Sequence, residues 1–306
     1  MNKRHNPSSS SPAIYEVIAL LCITLCSCHH QPKPFWKSYN HFKGDTSLIQ
    51  PKEYADYLKT KFHGQLDSVP MLAIIFYDRN IPEYLDSLGY KPADIKVVAI
   101  GETDPEVLYI VKPVGRHIPT FTITGGMPGA GGVCTQAAEL GALGATAIIH
   151  IGTCGFLDTT IKADEVVLSK GSYNDGAAAL LANVNHSAKA TALSYPDSVF
   201  TSQILSKLTQ RHLAVKQLYG VTLPIFYYQP SGLINKILQD DSPTKPSYIE
   251  MEGAPFFQTA RLGKFRSASI VMGTDYYYLH GQTVKHYFVD FNSKKLKLQV
   301  LRALLL

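Results

Sequence analysis

The chain has 306 residues, 45% of them apolar, and a formal net charge of +5. That length allows one large domain or two small ones around a sizeable core. The charge is mild and forms no basic stripe interleaved with aromatics, so nucleic acid is not an expected partner. Five cysteines are present, with no CxxC pair and no zinc-finger spacing, so no metal site is expected.

At the amino terminus Lys3 and Arg4 precede a short apolar run, 17–26, too short to span a bilayer comfortably. The run ends Leu25-Cys26-Ser27-Cys28, which resembles the lipobox of bacterial lipoproteins. That resemblance implies a targeting segment over 1–28, with Cys28 lipidated as the mature terminus. Membrane attachment follows, and a place in the cell envelope, lipid-anchored or periplasmic. A plain signal peptide, a membrane anchor, or a misassigned start and a cytoplasmic protein are the other readings. Residues 29–44 are polar and proline-punctuated and read as a linker. His29 and His30 lack further spaced ligands and read as part of it. Residues 45–306 read as the folded domain.

Within the domain, 54–59 predicts a helix and 71–77 the first core strand. That strand runs into Tyr77-Asp78-Arg79-Asn80-Ile81-Pro82. Residues 95–101 and 106–113 predict a pair of strands joined by the turn Glu102-Thr103-Asp104-Pro105. Residues 120–124 alternate as a strand and reach the loop Thr124-Gly125-Gly126-Met127-Pro128-Gly129-Ala130-Gly131-Gly132. A glycine-rich turn that opens a helix exposes backbone N–H groups, which suits an anion. No Gly-Lys-Ser/Thr follows, so this is not a Walker loop. Residues 133–143 predict the helix, and Gly144 stops it.

The β-branched run 147–151 predicts a buried strand that ends in Gly152-Thr153-Cys154-Gly155. The glycines let the chain turn tightly and approach a ligand, and ligands in open α/β folds sit at the carboxyl ends of strands. Thr153 offers a hydroxyl and an amide suited to an anion or a sugar oxygen. Cys154 has no activating base at a fixed spacing and reads as a packing residue. Further on, 163–168 predicts a strand, 183–198 a surface loop and 201–210 an amphipathic helix. A strand at 220–222 leads to Ile225-Phe226-Tyr227-Tyr228-Gln229, an aromatic group suited to stacking on a heterocycle or to core packing. Tyr248-Ile249-Glu250-Met251-Glu252-Gly253-Ala254 places two carboxylates in an apolar context. One carboxylate can accept from two vicinal sugar hydroxyls. Residues 268–272 predict the last core strand, which ends Gly273-Thr274-Asp275, and 294–306 an amphipathic helix.

In this order the glycine loop, the Gly-Thr-Cys-Gly strand end, Glu-Met-Glu and Gly-Thr-Asp resemble the nucleoside phosphorylase family. The branch is that of uridine phosphorylase, the hexameric purine nucleoside phosphorylases and the methylthioadenosine nucleosidases, and the likeness spans about 70–275. The resemblance implies a three-layer α/β/α sandwich with a mixed central β-sheet, assembled as a homo-oligomer. It implies cleavage of the N-glycosidic bond of a small-molecule nucleoside, purine favoured, by phosphorolysis to free base and ribose 1-phosphate. Inorganic phosphate is then the co-substrate, and no cofactor is expected. On the matching positions Glu252 binds the 2′- and 3′-hydroxyls, Met251 packs under the ribose and Glu250 flanks it. Phe226 stacks on the base with Tyr227 beside it, and Asp275 protonates N7 of the leaving purine. Thr153 and Gly155 complete the substrate site. Phosphate falls to the loop backbone at Gly126 and Gly129, to Thr153 and to His150.

Two departures bear on the nucleophile. The family's phosphate arginines match Ile81 and His150 here, with Arg79 two residues from the first. His150 either binds phosphate when protonated or is a hydrogen-bonded core residue; its unperturbed pKa near ~6.5 and its lack of a fork weaken the first role. A site without arginine holds a phosphate dianion poorly. A hydrolase that uses water is therefore the alternative, although the nucleosidases' amino-terminal Met-Glu-Glu segment is absent. A lipid-anchored nucleoside-binding protein without turnover is the third reading.

Overall fold

The structure, a computed structural model, describes residues 48–100, 106–113, 119–182, 184, 192–289 and 292–306. The expected targeting segment and linker lie outside these residues. Helix α1 (Pro51–Lys61) opens with proline, Glu53 in its first turn and lysines in its last, the order its dipole favours. Strand β1 (Leu72–Phe76) follows, then α2 (Ile81–Ser87), the antiparallel pair β2 (Ile95–Ile100) and β3 (Glu106–Val111), and β4 (Phe121–Gly125). Next come α3 (Gly129–Ala142), β5 (Ala147–Phe156), β6 (Val166–Tyr173), α4 (Gly176–Ala182) and the short β7 (Leu193–Ser194). The chain continues through α5 (Ser198–Gln210), β8 (Val215–Thr222), α6 (Ser231–Leu238), β9 (Tyr248–Glu250) and α7 (Gly253–Gly263). It closes with β10 (Arg266–His280), β11 (Thr283–Phe288) and α8 (Ser293–Leu305).

All the described strands join one mixed sheet, in the order β11-β10-β6-β8-β9-β5-β1-β4-β3-β2 with β7 beside β6. Strand β5 is parallel to β1 and β10 and antiparallel to β9. Because β10 also pairs with β5, the five strands β10, β6, β8, β9 and β5 close into a ring. Side chains alternate across the sheet. Ile74, Phe76, Ile149 and Ile151 point to one core with Phe200, Val300 and Leu304 from α5 and α8. Ala73, Ile75 and Ile148 point to the other with Leu58, Val133, Leu140 and Phe256 from α1, α3 and α7. This two-sided burial is why the strands read as continuous apolar runs. Each fully buried Ile, Leu or Phe contributes roughly 1.5–3 kcal/mol. The layered α/β/α arrangement is the one the resemblance implied.

Several expectations change in detail. Gly129, Gly131 and Gly132 form the first turn of α3 rather than a loop ahead of it. Strand β10 does not stop at Met272. It runs through the three tyrosines to His280, turns at Gly281 (φ 61°) and returns as β11. Tyr276 is buried, and Tyr277 and Tyr278 are half-buried. Helices α2 and α6 were not foreseen, and β7 and the start of α5 fall in the stretch read as surface loop.

Candidate functional site

The ring of strands brings four segments to the carboxyl end of β5. Gly155 pairs with Asp275 of β10 on one side and with Ile249 of β9 on the other. A bulge between Gly273 and Asp275 changes the register of β10 there, as bulges near active sites commonly do to re-aim a side chain. A cavity of about 170 Å³ lies over this end, lined by Thr153, Gly155, Phe226, Glu250, Met251, Glu252 and Asp275 among others. The side of Gly155 must stay open: a Cβ there would lie 2.5 Å from Tyr277 Cε2 and 2.8 Å from Asp275 Oδ2.

The two glutamates differ. Glu250 Oε1 accepts from the Ser172 hydroxyl at 2.8 Å and the Thr222 hydroxyl at 2.5 Å. Its Oε2 accepts from the backbone N–H of Glu252 at 2.5 Å and of Gly253. Glu250 therefore holds the N-terminus of α7 and is fully occupied. Glu252 Oε1 accepts from Gly129 N–H at 2.6 Å, and Oε2 lies 3.3 Å from Met251 N. Burial, then the nearby Glu250 charge, pushes the Glu252 carboxyl up to about 7. It stands poised between its two charge states near neutral pH.

Asp275 is 2% exposed. The Thr274 hydroxyl lies 2.8 Å from its Oδ1, and His286 Nε2 lies 2.9 Å from its Oδ2. Burial, then the Asp275 charge, pushes the Tyr277 phenol up, so that ring stays neutral. Phe226 reaches the cavity from an exposed loop. Tyr227 does not: it is 73% exposed and meets Phe226 edge-on outside the cavity lining. Gln229 lines the cavity, with Nε2 bracing Ile225 O at 3.2 Å and Oε1 buried without a partner among the described residues. Cys154 is buried and its thiol is pushed well up by burial, which keeps it neutral, as a packing residue would be.

Of the residues assigned to phosphate, Thr153 lines the cavity, and Gly126, Gly129 and His150 do not. Gly126 N–H donates to Phe76 O at 2.9 Å and Met127 N–H to Gln136 Oε1 at 2.8 Å. Pro128 has no N–H, and that of Gly129 is held by Glu252. The Tyr77 ring lies against Gly126, where a Cβ would meet it at 2.4 Å, and its hydroxyl donates to Met127 O at 2.9 Å. Lys297 of α8 fixes this turn by donating to Tyr77 O and Asp78 Oδ2 at 2.9 and 3.0 Å. His150 is 1% exposed beneath Tyr77, with Nδ1 2.9 Å from Ser269 Oγ. Burial pushes its pKa down to about 3, so it carries no charge for an anion. Of the two readings of His150, the geometry matches the core residue. Arg79 faces a separate, wider depression beside Glu106 and Thr124. Among the described residues that line the site cavity there is no lysine or arginine.

Sequence reasoning missed His286, Tyr77 as a lining residue, and the role of Gln136 in holding the loop. Only Tyr77 left a signal, as a bulky residue where the resemblance expects glycine.

The sequence matches the family model described as the phosphorylase superfamily over residues 83–305. No curated protein matches it. Among solved structures it is similar to purine nucleoside phosphorylase from Toxoplasma gondii in complex with immucillin-H, at 15% identity and a TM-score of 0.57, covering 78% of this chain and 90% of that one. It is equally similar to AMP nucleosidase from Bacteroides thetaiotaomicron VPI-5482, at 14% identity and a TM-score of 0.57, covering 83% of this chain and 96% of that one.

Proposed function

The chain belongs to the phosphorylase superfamily, and on that premise we propose that it cleaves the N-glycosidic bond of a purine nucleoside with water as nucleophile. The observation that carries this reading is the charge of the cavity. Glu250, Glu252 and Asp275 line it, and no lysine or arginine does among the described residues. As a base leaves, the sugar develops positive, oxocarbenium-like charge, which carboxylates stabilise. The same carboxylates repel a phosphate dianion, and the amides of Gly126 and Gly129 that would hold it are already engaged.

In this reading Glu252 accepts from the 2′- and 3′-hydroxyls with the lone pairs that the Gly129 and Met251 N–H groups leave free. Met251 packs against the ribose and Phe226 stacks on the base. Asp275 donates a proton to the leaving base, which lowers the barrier to its departure. The unpartnered Gln229 Oε1 accepts from an N–H of the base, an arrangement open to a purine amine or ring N–H.

The test is base release from inosine, adenosine, guanosine, uridine and methylthioadenosine, with and without inorganic phosphate. Release of free ribose without phosphate is the expected result. Phosphate-dependent release of ribose 1-phosphate would overturn the hydrolytic reading and restore phosphate as co-substrate. Saturable nucleoside binding with no release would make the protein a binder. Lipidation at Cys28, envelope location and homo-oligomerisation remain proposals of their own, tested by intact mass, detergent partition and light scattering.

A further inference from the structure

We infer that His286 is the relay through which solvent reloads Asp275 with the proton it gives to the departing base. This rests on the glycosidase reading above. Asp275 is 2% exposed, so its proton needs a route from water. Its Oδ1 is engaged by the Thr274 hydroxyl, and its Oδ2 faces His286 Nε2 at 2.9 Å. The His286 side chain is 32% exposed, so one ring joins the buried carboxylate to solvent.

The hairpin fixes that ring. His286 lies directly opposite Tyr277 in the β10–β11 register, and the two rings are 4.7 Å apart. Phe288 closes on His286 edge-on, also at 4.7 Å. The titratable groups of β10 around it are Asp275 and Tyr277, with Tyr276 and Tyr278 flanking in the register. Helix α6 also packs against β11 and carries one charged residue, Lys236. On β11 itself the neighbouring Lys285 pairs with Tyr278 instead. Asp275 is thus the carboxylate placed to share a proton with this imidazole.

The proton balance is simple. The imidazolium–carboxylate pair holds one proton more than the neutral ring and carboxylate. That proton passes from Nε2 to Oδ2 and then to the base nitrogen as the glycosidic bond breaks with its electron pair on the base. Water forms the new bond to the anomeric carbon and releases one proton to solvent, the neutral ring takes one proton up from solvent, and the pair is restored with no net change. His286 does not line the cavity, so it acts through Asp275 and is a positioning and relay residue.

The experiment compares the wild type with His286→Gln and His286→Phe on two substrates. One is the nucleoside released fastest, whose base leaves with a proton. The other is 4-nitrophenyl riboside, whose phenolate leaves without one. For the nucleoside, kcat/KM is expected to fall about 10- to 100-fold in both variants, a share of the roughly 10²–10⁴-fold that general acid–base catalysis contributes. For the nitrophenyl riboside it stays within about twofold, since no proton transfer is needed. His286→Gln keeps a hydrogen-bond donor but cannot carry a proton, so it restores a structural role and not a relay. Equal losses on both substrates, or full rescue by Gln, would overturn the relay and leave a structural role. A wild type that cleaves neither substrate would instead sink the glycosidase reading, and the relay with it.

Discussion

Replacing Glu252 by glutamine separates the fold's interest from the site's. Glu252 is 6% exposed, and its carboxyl is pushed from an ordinary 4.5 up to about 7 by burial and by Glu250. In the unfolded chain it ionises near its ordinary value. Between those two pH values the unfolded state has lost the proton and the folded state keeps it. Stability therefore falls as pH rises through that window, by about 1.4 kcal/mol per pH unit. The whole fall is about 3 kcal/mol, complete by about pH 8 and absent below about pH 4. In Glu252→Gln the amide oxygen can still accept from Gly129 N–H, and no charge forms. The variant is expected to match the wild type near pH 5 and to exceed it by about 3 kcal/mol at pH 9, while nucleoside cleavage drops sharply. Urea unfolding across pH 5–9 reads this directly, through the midpoint at constant m-value. A stability difference that does not change between pH 5 and pH 9 would refute the argument that burial destabilises the ionised Glu252.

Two further substitutions test neighbouring contacts. Glu250→Gln sets an NH₂ against either the two hydroxyl donors or the two backbone donors that the carboxylate now accepts from; loss of two charge-assisted bonds at ~1.5–3 kcal/mol each gives a destabilisation of about 3 kcal/mol or more, read by denaturant midpoint. Gly155→Ala puts a methyl 2.5 Å from Tyr277 and 2.8 Å from Asp275. An ångström of displacement at a reacting group lowers rate by about 10²-fold, so kcat/KM should fall by that order, with a far smaller change in urea midpoint.

The elements legible in the sequence are those whose signal is local. β1 and β5 are apolar on both faces, so their runs announce buried parallel strands whatever surrounds them. The Glu-Met-Glu and Gly-Thr-Asp stretches bring their carboxylates to the cavity because Glu250 ends β9 and Asp275 follows a bulge inside β10. What stayed hidden depends on partners far along the chain. The loop at 125–132 carries the composition of an anion cradle, yet its amides are engaged by Phe76, Gln136 and Glu252. Tyr77 is held over Gly126 by partners distant in the chain, Met127 O at its hydroxyl and Lys297, 220 residues away, at its carbonyl. His286 is one polar residue in an otherwise ordinary strand, and only the β10–β11 register sets it against Asp275. Likewise, no local feature separates Glu250 from Glu252. Ser172 and Thr222, from two other strands, satisfy the first, and the second is left with a borrowed backbone donor.

That borrowed donor bears on how the site discriminates. Gly129 N–H and Glu252 make a short contact beside the cavity, and a ligand must pair with the lone pairs of the carboxylate that this contact leaves free. A sugar with two vicinal hydroxyls offers one donor to each carboxylate oxygen and leaves the Gly129 bond in place. A deoxy sugar offers one donor and loses one of these bonds, worth about 1.5–3 kcal/mol where the acceptor is charged. A phosphate offers no donor in its dianionic form and brings charge of the same sign as Glu252. The arrangement therefore selects for ribose at the same atoms that select against phosphate. Both preferences follow from a carboxylate buried beside a second one with no fixed cation between them.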